Sequence, residues 1–207
     1  RPQAILFDWD NTLVASMNMI CNAVNNTLEK LNKHLLSYEQ VYQSTHQSPR
    51  DTFIEVFGAD APEAMVIFYE FIHATPMEKR FDPLPGAQVA LEKIKQAGIP
   101  MGVVSNKQAA TLRAEIDFIV WQDYFHTVIG SGDAEADKPS PAPLNLALER
   151  MSLKASPNIW FIGDSPVDWA AAQQSGCRPF SIHVASVDPA IFHFNDLHHM
   201  AEIIDFS

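Results

Sequence analysis

Ile5-Leu6-Phe7-Asp8-Trp9-Asp10-Asn11-Thr12-Leu13 is an apolar run that ends on two aspartates two residues apart. Ile5, Leu6 and Phe7 have the character of a buried strand, and a strand's period of two places Asp8 and Asp10 on one side. Two like charges beside an apolar core either raise a pKa or require a cation between them, so the pair predicts a shared proton or a bound metal. Asn11 stands where the chain must turn, and Asn tolerates positive φ better than most residues. Short Asx clusters also cap turns, which is the plainer use of these residues. A calcium loop does not fit, because counting from Asp8 puts Thr12 at position five, Leu13 rather than Gly at six and Met19 rather than Glu at twelve.

After this turn the pattern becomes helical. Val14, Met17, Cys21, Val24, Leu28 and Leu31 recur at spacings of three and four. Further helices are expected at Tyr38 to Ser44, Pro49 to Phe57 and Pro62 to Ala74, with no strand signal between Ala15 and Arg80. Phe81-Asp82-Pro83-Leu84-Pro85-Gly86 can continue neither a helix nor a central strand. The expected division is therefore an α/β core of residues 1–14 and 81–207 with a helical insert at 15–80.

Strands and helices alternate in the remainder. Strands are expected at Met101 to Val104, Thr127 to Ile129, Ile159 to Ile162 and Pro179 to His183. Helices are expected at Ala87 to Ala97, Gln108 to Phe118, Pro143 to Met151, Pro166 to Ser175 and Asp196 to Ile204. Such alternation implies a parallel sheet covered by helices, with a site at the carboxyl ends of the strands.

Three of those strand ends carry polar residues. Ser105-Asn106-Lys107 follows the second strand, where a hydroxyl and successive N–H groups can meet an anion or merely cap a helix. Asp137-Lys138-Pro139-Ser140-Pro141 holds a lysine in a proline-bracketed loop. In Gly163-Asp164-Ser165-Pro166-Val167-Asp168, Ser165 and Asp168 spell a capping box with Pro at the first helical position. The box leaves Asp164 unexplained, with Gly163 clearing room for close approach of the backbone.

Asp8-Trp9-Asp10-Asn11-Thr12 resembles the first motif of the haloacid dehalogenase superfamily, Asp-x-Asp-x-Thr. Ser105, Lys138 before Pro-x-Pro, and Gly163-Asp164 with Asp168 are similar to its second, third and fourth motifs, in order. The insert resembles the small α-helical cap of the phosphoglycolate phosphatase and β-phosphoglucomutase branch. This resemblance implies a Rossmann-like parallel sheet with strand order 5-4-1-2-3 and a Mg2+ cofactor. It also implies catalytic roles for Asp8, Asp10, Ser105 and Lys138, with Asp8 as nucleophile and Asp10 as acid and base. Lys138 and Ser105 would bind the phosphoryl oxygens. The metal site would comprise Asp8, Asp10 through its backbone carbonyl, Asp164 and Asp168, the last supporting the group.

Asn106 and Arg50 are weaker candidates for substrate contact, Arg50 because cap residues near this place touch substrate in some relatives. The expected activity is phosphatase action on a small phosphorylated metabolite beneath a mobile lid. A phosphomutase shares every core residue, and a catalytically silent binding protein is the alternative from another class. Asp10 argues against dehalogenase and phosphonate-cleaving activity, since those branches lack a second Asp here.

Bulk composition sets outer bounds. The chain has 207 residues, 47% hydrophobic and 19% charged, as globular proteins have. Lys and Arg number 14 against 25 Asp and Glu, and the net charge of −11 disfavours nucleic acid and anionic membrane surfaces as partners. Cys21 and Cys177 lack metal-ligand spacing, and a reducing cytoplasm is expected. No apolar run approaches the roughly 18 to 20 residues of a membrane span. The histidines, including adjacent His198 and His199, have no paired spacing that suggests zinc. Met65, Ile67, Phe68, Phe71 and Trp169 are expected to pack.

Overall fold

The structure is a computed structural model that describes residues 1–45 and 49–203, with residues 49–51 described by backbone alone. In chain order it runs β1 (Ala4–Phe7), β2 (Val14–Ala15), α1 (Met17–Lys30), α2 (Tyr38–Ser44), α3 (Pro49–Phe57), α4 (Ala61–Ala74), β3 (Asp82–Pro83) and α5 (Ala87–Gln96). It continues with β4 (Met101–Gln108), α6 (Ala109–Phe118), β5 (Thr127–Ser131), α7 (Ala142–Arg150), β6 (Ile159–Gly163), α8 (Pro166–Ser175), β7 (Arg178–Ile182), β8 (Phe192–Phe194) and α9 (Leu197–Ile203).

Two compact units result, Arg1–Val14 with Pro83–Ser207, and Ala15–Asp82. The first is built on a parallel sheet in the order β5-β4-β1-β6-β7-β8. Read from the β7 side, the five longer strands follow the expected 5-4-1-2-3 order. The addition is β8, an edge strand of three residues that pairs Phe192 with Phe180 and Phe194 with Ile182. All four residues of β1 are buried, as a central strand covered on both faces requires. On one face Ala4, Leu6, Val104, Ile129, Leu144, Leu148, Phe161 and Ala172 form a single apolar cluster.

The helical unit has its own core. Met17, Cys21, Val24 and Leu28 on one stripe of α1 meet Val41, Phe53, Phe57 and Ala64. Phe68 and Phe71 pack beside Met19, Ala23 and Ile72. Asn25 fixes the turn after α1 by a reciprocal pair of 2.9 Å bonds with the backbone of Leu36. The expectation that strands are absent between Ala15 and Arg80 is corrected at its first residue, since Val14–Ala15 pairs with Asp82–Pro83 as a two-stranded ribbon.

Candidate active site

The register of the sheet brings the polar strand ends together. Phe7 lies opposite Val103 of β4 on one side and Ile162 of β6 on the other. Asp8 therefore emerges between the ends of both neighbours, and its N–H still donates to the carbonyl of Ile162 at 2.9 Å. Strand neighbours are about 4.8 Å apart, so Asp164, one residue past the end of β6, is brought beside Asp8. This is the point at which the sheet order reverses, the usual crevice of open α/β folds.

Asn11 adopts φ 58°, the left-handed conformation expected of the turn. The carbonyl of Trp9 accepts from the N–H groups of Thr12, Leu13 and Val14 at 3.3, 3.0 and 3.2 Å, which folds the chain back just after Asp10.

Lys138 is 2% exposed and uses all three of its ammonium donors. They go to Asp8 Oδ1 at 2.7 Å, Asp168 Oδ1 at 2.6 Å and the carbonyl of Val104 at 2.9 Å. The expectation that this lysine touches a phosphoryl oxygen is thereby modified: such a contact has to replace one of the three bonds, and what the lysine does at rest is hold Asp8. Asp168 is equally occupied. Its second oxygen accepts the N–H of Ser165 at 3.1 Å and the hydroxyl of Ser165 at 2.7 Å. With both oxygens engaged by Lys138 and Ser165, Asp168 is suited to support and poorly placed to be a metal ligand.

Gly163 makes this possible, because a Cβ there would sit 2.5 Å from the Asp168 side chain. The indole of Trp169, buried as expected, also ties α8 to the strand end by donating to the carbonyl of Gly163 at 3.1 Å.

Asp8, Asp164 and Asp168 can bring one oxygen each within 4.8 Å of one another. Burial raises the Asp8 carboxyl to about 7 against the pull of Lys138, with Asp168 adding to the rise. Burial, then the charges of Asp168 and Asp8, lifts Asp164 well above the usual carboxylate range. Lys138 is also raised, which in its case favours the charged form: burial opposes its charge, but Asp168 and Asp8 outweigh that and strengthen its hold on the proton. Fully ionised, the three carboxylates and one ammonium would leave two negative charges in a buried site, and the raised carboxyls show how strongly burial resists them. That is the charge a divalent cation neutralises, and carboxylate oxygens are the ligands a hard cation takes.

Asp10 belongs to a different set. Its Oδ1 accepts from Lys107 at 2.7 Å, and Lys107 donates equally to Glu115 Oε2 at 2.7 Å. The same Glu115 oxygen accepts the Trp9 indole N–H at 2.8 Å. Glu115 is 2% exposed and Trp9 fully buried. Its side chain thus contributes to this neighbouring set, while the metal role expected of Asp10 rests on its backbone carbonyl alone.

Ser105 is buried within β4, just after Val104 where the regular pairing with β5 breaks, and its hydroxyl accepts the N–H of Lys107 at 3.1 Å. It does not cap α6, which begins at Ala109. Asn106 spends one N–H and one lone pair of its amide on the backbone of Lys138, donating to the carbonyl and accepting the N–H at 2.8 Å each, so it clamps the lysine loop. The side chain of Arg50 lies outside the described residues.

Sequence reasoning missed Lys107, Glu115 and Trp9 as parts of the site. A signal was available for Trp9: a tryptophan in a buried strand needs an acceptor for its N–H.

The sequence profile of the haloacid dehalogenase-like hydrolases matches residues 5–182. A phosphoglycolate phosphatase of Rhodobacter capsulatus is 28% identical over 210 residues, covering 99% of this chain and 93% of that protein. One from Pectobacterium atrosepticum is 42% identical over 88 residues, 42% of this chain and 37% of that protein. A haloacid dehalogenase superfamily hydrolase of known structure from Ehrlichia chaffeensis is 29% identical, with a TM-score of 0.69 over 98% of this chain and 95% of that one. A further structure, from Bacteroides fragilis, shares the fold at 20% identity, with a TM-score of 0.88 over 97% of this chain and 100% of that one. Matched along most of its length and built on the same sheet, the chain belongs to the haloacid dehalogenase-like hydrolase family.

Proposed function

We propose that the chain is a magnesium-dependent phosphatase of small phosphomonoesters, of the phosphoglycolate or sugar phosphate type, working through an aspartyl-phosphate on Asp8. The observation that carries this is the buried carboxylate of Asp8 at the end of the central strand, ion-paired to Lys138 and beside a second carboxylate, Asp164. The charge of the cluster fits Mg2+, which Asp8, Asp164 and the backbone carbonyl of Asp10 would hold. When bound, the ion offsets the repulsion between the Asp8 carboxylate and the phosphate and polarises the phosphoryl oxygens.

The chain's own groups do the rest. Asp8 forms a bond to phosphorus as the bond from phosphorus to the alcohol oxygen breaks, dividing one very slow displacement into two easier ones. Asp10 gives its proton to the departing oxygen and is left as a carboxylate. Water then attacks phosphorus, Asp10 takes a proton from it, and the Asp8–phosphate bond breaks to release phosphate and restore both aspartates. Lys138 holds Asp8 in one orientation through Oδ1. Ser105 lies on the adjoining β4, where its regular pairing with β5 breaks after Val104, and its hydroxyl would meet an equatorial phosphoryl oxygen. Substrate choice we assign to the unit Ala15–Asp82, which follows the Asp8–Thr12 turn directly in the chain.

A panel of phosphoglycolate, sugar phosphates, nucleoside monophosphates and a folded phosphoprotein, assayed with Mg2+ and with a chelator, tests this. Release of phosphate from small members only, abolished by the chelator, is expected. An isomeric phosphate as product would make the protein a mutase, and no turnover of any member would make it a binding protein.

A further inference from the structure

Lys107, Glu115 and Trp9 form a buried assembly that the proposed reaction does not itself use. The indole N–H of Trp9 and the ammonium of Lys107 both donate to Glu115 Oε2, at 2.8 and 2.7 Å. Lys107 also donates to Asp10 Oδ1 at 2.7 Å. Each part is fixed independently of Asp10. Glu115 stands on α6, Trp9 is pinned edge-to-face against Trp121 at 6.1 Å, and the Trp9 carbonyl accepts three N–H groups of the following turn. Lys107 sits on the irregular end of β4, where the pairing with β5 shifts between Val104 and Gln108. The side chains of Lys107 and Asp10 are 13% and 19% exposed, so their contact is largely sheltered from water.

We propose that Lys107 is a positioning residue for Asp10: anchored by Glu115 and Trp9, it holds one carboxylate oxygen so that the other is presented in a single direction to the leaving group and then to water. An aspartate side chain has two rotatable bonds, and proton transfer requires the acid within about 2.6–3.2 Å of the reacting oxygen. Misplacement by roughly 1 Å can cost on the order of 100-fold in rate. An alternative role for Lys107 is plain neutralisation of buried Glu115. The two roles differ in what they do to different leaving groups, because an alkoxide cannot depart without a proton whereas a nitrophenolate can.

The inference rests on Asp10 being the acid and base proposed above, and Asp10→Asn assayed alongside keeps the two claims separable. The measurement is kcat/KM for p-nitrophenyl phosphate and for the alkyl phosphate turned over fastest in the panel, since kcat/KM reports transfer to Asp8 before hydrolysis of the intermediate. Lys107→Met is expected to lose about 10- to 100-fold on the alkyl substrate and only a few-fold on the aryl one, with Lys107→Arg recovering part of the loss. The double variant Lys107→Met with Glu115→Gln removes one charge of each sign and serves where the single variant does not fold. It is expected to keep the alkyl-selective loss while regaining thermal stability.

Equal losses on both substrates, no loss, or alkyl activity restored in the double variant would overturn the proposal. If Asp10→Asn itself shows no leaving-group selectivity, the role of Asp10 falls and this inference with it. If Asp10→Asn is selective and Lys107→Met is not, only the inference falls.

Discussion

Two lysines each bridge a pair of carboxylates near the end of the first strand, and the two groups differ in charge balance and in shelter from water. Lys138 joins Asp8 to Asp168, and Lys107 joins Asp10 to Glu115. Beside the first pair stands a third buried carboxylate, Asp164. Beside the second the added partner is the neutral indole of Trp9. When fully ionised the first group therefore has an excess of two negative charges in a buried site, while the second has one and keeps part of Asp10 in contact with solvent. Two aspartates only two residues apart are thereby given different environments. One is the setting of the proposed nucleophile beside a divalent cation, and the other is the setting of the proposed acid and base, held through one oxygen by Lys107.

The largest expected effect follows from that division. Asp8→Asn removes the nucleophile and should lower kcat by roughly 10⁴-fold or more, as removal of a covalent nucleophile does elsewhere. Asp10→Asn should spare Mg2+ binding, because only its backbone oxygen is assigned to the metal. Titration calorimetry with Mg2+ on the Asp8→Asn, Asp10→Asn and Asp164→Asn proteins checks the split. Loss of affinity in Asp10→Asn as complete as in Asp164→Asn would erase the distinction between the two groups.

A smaller but clearly signed effect is the dependence of metal binding on pH. The folded, metal-free protein raises Asp8 from an ordinary 3.8 to about 7, with burial the main cause. A carboxyl raised on folding contributes destabilisation that begins as pH climbs through 3.8 and is complete above about 7. Magnesium has to displace that proton at low pH and relieves the repulsion at high pH. The rise in Tm on adding a fixed Mg2+ concentration should therefore be greater at pH 8 than at pH 6, with apparent affinity falling about tenfold per pH unit below 7 for each proton displaced. The metal-free Tm should move in the opposite sense as far as this group is concerned. A metal-induced shift that does not change over this range would mean that the cluster is already ionised without the cation.

The motifs at the strand ends made the Asp8 group legible from sequence, because Asp8, Lys138 and Asp164 each follow an apolar run or a proline-framed loop that places them. Gly163 was legible for the same reason, as a gap for Asp168. The Asp10 group was not. Glu115 sits within a helix whose acidic residues look alike on paper, and only the docking of α6 beside β4 shows that this one faces inward. The clamp made by Asn106 was not legible either, since nothing in the sequence says that its amide meets the backbone of Lys138, 32 residues away. The edge strand Phe192–Phe194 escaped because three residues alternating around a histidine give too short a pattern to distinguish a strand from a loop.

The smallest expected effect tests how far the Asp10 group is held from behind. Trp9→Phe keeps the ring in the core and the backbone turn, whose bonds run through the Trp9 carbonyl, but deletes the N–H that Glu115 accepts. A hydrogen bond to a charged acceptor contributes about 1.5–3 kcal/mol, and the smaller ring leaves some space, so a lower Tm is expected. Glu115 keeps Lys107 as a partner, and the link from Lys107 to Asp10 is not touched. Turnover of an alkyl phosphate should therefore fall only a few-fold, less than in Lys107→Met, and the Asp8 group should bind Mg2+ as before. If Trp9→Phe instead weakened Mg2+ binding as Asp164→Asn does, the two groups would be mechanically one, and the contrast between them would have to be redrawn around the backbone of residues 8–10.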